Sequence, residues 1–177
     1  MKYLIILSLI ISSVFAQTKL DTIVFKKVNE YRKSIGVSPV EWNVICYKAS
    51  EHHSKHLIRK NLSVFPSLFC GHSEDTLKNP SDRLDKYYNK KTDGGLGEVC
   101  QSFGHNIRHK DSTSYYEILA EKIVTNWKNS KDHNKILIDP KYKTFGVSSL
   151  YFTKPNGFKN SSHYIFVSTA VFYTKYQ

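Results

Sequence analysis

Between Tyr116 and Trp127 the residues Tyr116, Leu119, Ala120, Ile123 and Trp127 recur three and four positions apart, while Glu117, Glu121, Lys122 and Lys128 fall largely off that line. This period predicts a helix with one buried face, so the chain must supply a second layer to cover it. Asn129 and Ser130 compete for backbone hydrogen bonds and favour its end. Asp132-His133 then leads into Ile136-Leu137-Ile138-Asp139-Pro140, which places His133 just beyond a rigid element.

The other segments limit what that layer can be. Asp21 is read as the cap of a helix carrying Val24, Val28, Tyr31 and Ile35, with Arg32 and Lys33 in its last turn and Gly36 as its stop. A second helix is expected from about Trp42 to Arg59, burying Trp42, Ile45 or Cys46, Ala49, His53 and Leu57. Pro80 to Tyr88 reads as a short capped helix, and Leu96 to Phe103 as the first strand. Gly104 to Ser112, with His105, Arg108 and His109, reads as a polar loop. Thr144 to Phe152 and His163 to Tyr173 are β-rich and separated by a polar turn, as antiparallel neighbours would be. The order is helices, strand, helix, two strands. It predicts an α+β fold, a three-layer α-β-α sandwich around a central antiparallel sheet.

Residues 1–16 of the 177 read as a secretory leader, with Lys2, a Leu/Ile-rich run and Ala16 before a cut at Gln17. Residues 17–177 are then a single exported domain, secreted to the periplasm or outside the cell. No other segment approaches the roughly 20 apolar residues of a spanning helix, so no transmembrane segment is expected after cleavage. The formal charge of +11 falls to +10 without Lys2 and is spread along the chain. Nucleic-acid binding gathers Lys and Arg on one element, so solubility or adhesion to anionic envelope polymers is the better reading.

His52 and His56 stand one helical turn apart, a separation that can chelate zinc. The metalloprotease pattern also needs Glu directly after the first histidine, where this chain has His53. The plainer reading makes His53 a hydrogen-bonded core residue and leaves His52 and His56 solvated.

Several short stretches together resemble the CAP superfamily, or SCP domains, of cysteine-rich secretory proteins, antigen 5 proteins and plant pathogenesis-related proteins, in its compact bacterial-type branch. Val28-Asn-Glu-Tyr-Arg32 looks like the first-helix signature, and Val40-Glu-Trp-Asn43 with Ala49 and His53 like the second. Cys70-Gly-His-Ser73 resembles the loop carrying a site histidine, and Gly97-Glu98 the Gly-Glu-Asn strand. Trp127, Ser130 and His133 resemble the tryptophan, serine and histidine pattern, and Phe145-Gly-Val147 with Phe166 to Phe172 the closing strands. Val99 replaces the usual Asn, and Ser130 stands where larger members carry a second glutamate.

The resemblance implies that His72, Glu98 and His133 line one cleft, with Ser130 and Glu74 as possible auxiliaries. Two imidazoles and a carboxylate could hold zinc or another divalent metal with water in the fourth position. Hydrolysis would also need a base and an oxyanion stabiliser. Neither is identifiable, because Glu74, Asp75, Ser130 and Asp132 are near only in sequence. Without metal, Glu98 could hydrogen-bond both histidines as a structural network.

Cys70 lies two residues before His72 and Cys100 two after Glu98. In extended backbone each cysteine points with its site residue, so if the site residues meet, a Cys70–Cys100 disulfide can form. Thiolate ligation beside the histidines is the competing reading, and Cys46 is expected as a free core thiol. The leading functional expectation is a secreted binding or interaction module. Lipid, sterol, metal or cell-envelope ligands are what the resemblance implies. A zinc-dependent hydrolase and a structural scaffold working through Tyr87, Tyr88 and the loop after them are the alternatives.

Overall fold

The computed structural model describes residues 18–64, 67–105, 113–153 and 164–174. The leader, Arg108, His109 and the turn between the last two strands lie outside the described residues. The elements are α1 (Lys19–Ser34), β1 (Glu41–Trp42), α2 (Val44–Val64), α3 (Pro80–Tyr88), β2 (Gly95–His105), α4 (Thr113–Asn129), α5 (Lys131–Ile138), β3 (Thr144–Thr153) and β4 (Tyr164–Thr174). No helix among the described residues is long and apolar enough to cross a membrane.

The sheet runs β1-β3-β4-β2. β4 pairs antiparallel with both β2 and β3, as the sequence implies. Trp42 is not in α2 but in β1, which pairs parallel with β3 and makes the sheet mixed. Alternation along the strands divides the core between two faces. Val99, Phe103, Phe145, Val147, Phe166, Ala170 and Phe172 pack with Val24 and Val28 of α1 and Leu119, Ile123 and Trp127 of α4. On the other face Cys100, Val167, Val171 and Tyr173 meet Cys46, Ala49 and Leu57 of α2 and Leu84 of α3. Helices thus cover both faces of one sheet.

Two close approaches set the layer spacing. A Cβ on Gly146 would run into the backbone of Cys46 and Tyr47, so α2 lies directly on β3. Ser50 and Ser54 of α2 then donate to the carbonyls of Gly146 and Ser148, each at 2.8 Å. At Gly97 a Cβ would lie 2.7 Å from Ile136 Cγ2 and 2.6 Å from the Tyr142 hydroxyl, so this glycine admits α5 beside the edge strand β2.

Several ends differ from expectation. Thr18, not Asp21, caps α1. Asp21 is the third helical residue, closing a capping box with Thr18. It is fully buried and its Oδ1 accepts from Ser149 N of β3 at 2.7 Å. Burial pushes the Asp21 carboxyl up to about 6, against the opposing hydrogen bonds from Thr18 and Ser149. Ile35, expected on the buried face, is exposed, whereas Arg32 of the last turn is fully buried. Its guanidinium donates to the carbonyls of Ser38, Leu137, Asp139 and Tyr142, tying α1 to the C-terminal end of α5. Gly104 and His105 belong to β2 rather than a loop.

Candidate functional site

His72 from the loop after Cys70, Glu98 from β2, Arg83 from α3 and His133 from α5 come together at one place. Period-two geometry along β2 sends Glu98 and Cys100 to the α2/α3 face. Glu98 is a buried carboxylate, its side chain 1% exposed. His72 Nδ1 donates to Glu98 Oε1 at 2.9 Å. The imidazole of His72, 46% exposed, forms the rim.

His133 reaches this point by a route the sequence reading missed. Residues 131–138 form α5 rather than a simple exit from α4, and Ser130 is its N-cap, accepting from His133 N at 3.5 Å. Ser130 therefore caps a helix. His133 sits in the first turn with its ring centroid 6.4 Å from that of His72, at 75°. Burial and then the neighbouring His72 hold the His133 pKa below its ordinary value, with Asp132 opposing, so the ring is neutral at pH 7.

What holds Glu98 is Arg83. The guanidinium is fully buried, and its Nη2 lies 2.8 Å from Glu98 Oε1 and 2.7 Å from Oε2. Nη2 also donates to the His72 carbonyl at 3.0 Å and Nη1 to Leu77 O at 3.1 Å, so the same side chain fixes the loop carrying the histidine. Nη1 approaches Glu74 Oε1 at 3.4 Å. Pairing and hydrogen bonding together make burial of these charges tolerable. α3 presents Arg83 because Asn79 and Asp82 form a capping box and Pro80 opens the helix. Arg83 shares a helical face with Pro80 and Tyr87, but both of these are only partly buried and nothing in that spacing marks an arginine as a core residue.

Glu74 is also committed. Its Oε1 accepts from His53 Nδ1 at 2.8 Å, while His53 Nε2 lies 2.7 Å from the Gly71 carbonyl. Burial raises the Glu74 pKa, but His53 and Arg83 more than offset it, leaving the carboxyl below its usual range. His53 is thus the hydrogen-bonded core residue expected. His52 and His56, expected in solvent, instead face Glu74 and are only partly exposed.

The sulfurs of Cys70 and Cys100 lie 2.7 Å apart, the juxtaposition that the expected disulfide requires. Cys100 Sγ is 3.9 Å from His72 Nδ1. Contact with Cys70 and burial both push the Cys100 thiol upward. Cys46 is a buried thiol, pushed up to about 12 by burial.

The donor set does not fit a three-ligand zinc site in this arrangement. Glu98 meets Arg83 through both oxygens and His72 through Oε1, which leaves two imidazoles rather than two imidazoles and a carboxylate. Among the described residues no group of three or more His, Cys, Asp or Glu side chains stands ready to hold a metal ion. Both cleft carboxylates are engaged with Arg83 and histidine, so neither is a free general base.

Known proteins share this fold. Similar structures include an outer surface protein from Borrelia burgdorferi, with TM-score 0.64 and 18% identity over 91% of this chain and 97% of that one. An extracellular SCP-domain protein from Bacillus anthracis gives 0.60 and 18%, over 88% of this chain and 40% of that one. A cysteine-rich secretory protein from Staphylococcus aureus gives 0.53 and 13%, over 92% and 40%. No curated protein matches the chain. A model of the cysteine-rich secretory protein family, CAP, matches residues 25–169, and the chain belongs to that family.

Proposed function

We propose that the protein is an exported CAP-domain binding module, at the cell envelope or outside the cell, that takes the apolar part of a lipid or sterol. The carrying observation is a cavity of ≈ 260 Å³ between the starts of α1 and α4 and the end of β3, with Leu20, Tyr115, Tyr116, Leu119, Leu150 and Phe166 in its wall. An apolar cavity with a few polar groups at its edge is the usual form of a small-ligand site. Lys19 and Thr18 supply that edge. The leader-like residues 1–16 and the extracellular or outer-surface descriptions of the similar proteins support export.

The His72–His133 cleft is, in this reading, a polar recognition surface. Engagement of Glu98 by Arg83 weighs against the alternative of a zinc-dependent hydrolase. Fluorescence titration of the mature protein with dansyl-undecanoic acid and with a fluorescent sterol tests the proposal. Saturable binding of one probe is expected, lost when Leu119→Trp or the half-buried Tyr116→Trp fills the cavity and kept in His72→Ala. Absence of saturable binding, or equal binding by the filled variants, would overturn it.

A further inference from the structure

We propose that Leu62, Val64 and Leu68, with Arg59 and Lys60 beside them, form a docking surface for a membrane that carries anionic lipid headgroups. The inference concerns the outside of the molecule and does not rest on the lipid cavity. Seven large hydrophobic side chains are exposed among the described residues, and three of them fall together here: Leu62 at 47%, Val64 at 38% and Leu68 at 42%. Single exposed apolar residues are ordinary on a protein surface, whereas a group of them marks an interaction site.

The fold holds these side chains outward. Leu57 and Asn61 lie on the inner line of α2 and are fully buried. Val64 continues that line at helical spacing yet is exposed, so the helix has run past the layer it packs on. Leu62 stands on the outer side of the same turn. The base of this projection is fixed. Asn61 Nδ2 donates to the carbonyls of Leu57 at 2.8 Å and Phe69 at 2.9 Å, and Phe69 N donates to Asn61 Oδ1 at 2.8 Å. Ser102 Oγ of β2 donates to the same Phe69 carbonyl at 2.7 Å. The chain that leaves Asn61 therefore returns at Phe69 and is tied there to the sheet. Phe69 packs inward on the cluster of Leu57, Cys100 and Val167, while Leu68 directly before it is exposed. Apolar side chains on a fixed base enter another phase with little left to order.

Charge selects the phase. Between Glu51 and Glu74 the sequence holds no Asp or Glu. Lys55 is paired with Glu51 at 3.0 Å, whereas Arg59 and Lys60 are exposed and have no carboxylate partner among the described residues. The Lys60 ammonium lies 5.9 Å from the centre of the Phe69 ring, which puts a cation at the base of the apolar group. Aliphatic tips beside unpaired cations match an anionic bilayer surface, where the tips reach the acyl boundary and the cations stay among the phosphates. A protein interface instead favours aromatic residues and excludes lysine from its core. Ile118 of α4 is more exposed still, at 57%, but its neighbours Glu117 and Glu121 would face anionic headgroups with the wrong sign.

The test is flotation of the mature protein at pH 7 with vesicles of phosphatidylglycerol and phosphatidylcholine, against vesicles of phosphatidylcholine alone. Binding to the anionic vesicles is expected, weakened by salt. The double variant Leu62→Ser/Leu68→Ser should lower partitioning by at least about tenfold. Arg59→Gln/Lys60→Gln should lower it by roughly 10- to 30-fold. All four side chains are exposed, and circular dichroism verifies each fold. Ile118→Ser, and Tyr116→Trp in the lipid cavity, should bind vesicles as the unmodified protein does. Brominated phosphatidylglycerol should quench the added indole of Leu62→Trp and not that of Ile118→Trp. No binding to anionic vesicles, binding unchanged in Leu62→Ser/Leu68→Ser, or an unquenched Leu62→Trp would overturn the surface. Vesicle binding lost in Tyr116→Trp would give it to the cavity and overturn it too. Self-association abolished by Leu62→Ser/Leu68→Ser, without vesicle binding, would assign the patch to a second copy of the chain instead.

Discussion

Replacing Arg83 by Met, which keeps much of the side chain's length and removes its charge, isolates the interaction that organises the cleft. In the folded protein Arg83 contacts Glu98 at 2.7 and 2.8 Å and Glu74 at 3.4 Å, and the two carboxylate side chains are 1% and 3% exposed. The variant therefore strands two buried carboxylates, with hydrogen bonds from His72 and His53 as partial compensation. Removing one partner of a buried pair costs roughly 3–5 kcal/mol. The lower half applies if those histidines or entering water take up part of the charge. Glu98→Gln alone strands the guanidinium, while the double variant removes both charges. The two losses should therefore be strongly non-additive, with a coupling of at least about 2 kcal/mol. Urea unfolding at pH 7, followed by tryptophan fluorescence and by circular dichroism, measures all three variants against the unmodified chain. A folded Arg83→Met protein within about 1 kcal/mol of the unmodified one, or additive single losses, would refute the view that Arg83 holds Glu98 in place.

Asp21, with a folded-state pKa of about 6 against 3.8 for the free group, binds more protons folded than unfolded. Stability relative to Asp21→Asn should rise as pH falls through 6 towards 4, by roughly 3 kcal/mol in unfolding titrations; a flat difference would contradict burial of the carboxylate. His52, His56 and His133 have depressed pKa values and oppose this trend, because their neutral folded forms lose stability as pH drops below 6.5. Gly146→Ala should destabilise by at least roughly 1–3 kcal/mol, since the added methyl meets the α2 backbone rather than a flexible side chain; a thermal midpoint equal to the unmodified one would contradict that packing. Oxidation of the adjacent Cys70 and Cys100 thiols should close a loop of about 30 residues and stabilise by about 3–4 kcal/mol. Mass measurement after alkylation, with and without reductant, should show two thiols released; three free thiols throughout after oxidant treatment would refute the pairing.

The parts of the molecule built by repeated local pattern were legible in the sequence. α3 begins and ends where its Pro80 and the residues after Tyr88 say it should, and β3 and β4 lie within a residue or two of the β-rich runs. His72, Glu98 and His133 were named from resemblance, and the fold places His72 against Glu98 and His133 beside His72. What escaped depends on partners distant along the chain. Ile136-Leu137-Ile138 has β-branched character, yet it is the last turn of α5, whose carbonyls Arg32 of α1 satisfies from about a hundred residues away. Trp42 looked like the start of a helix, but a two-residue parallel strand beside β3 claims it. A buried arginine is rare enough to be read first as solvated, and Arg83 is tolerable only because folding brings Glu98 and Glu74 to it.

Whether Glu98 belongs to Arg83 or to a reaction is tested most directly by turnover of a p-nitrophenyl acyl ester by the mature protein, with and without added zinc, against His133→Ala. Engagement of both cleft carboxylates predicts no turnover that depends on His133 in either condition. Zinc-stimulated hydrolysis lost in a folded His133→Ala protein would contradict it and restore the hydrolase.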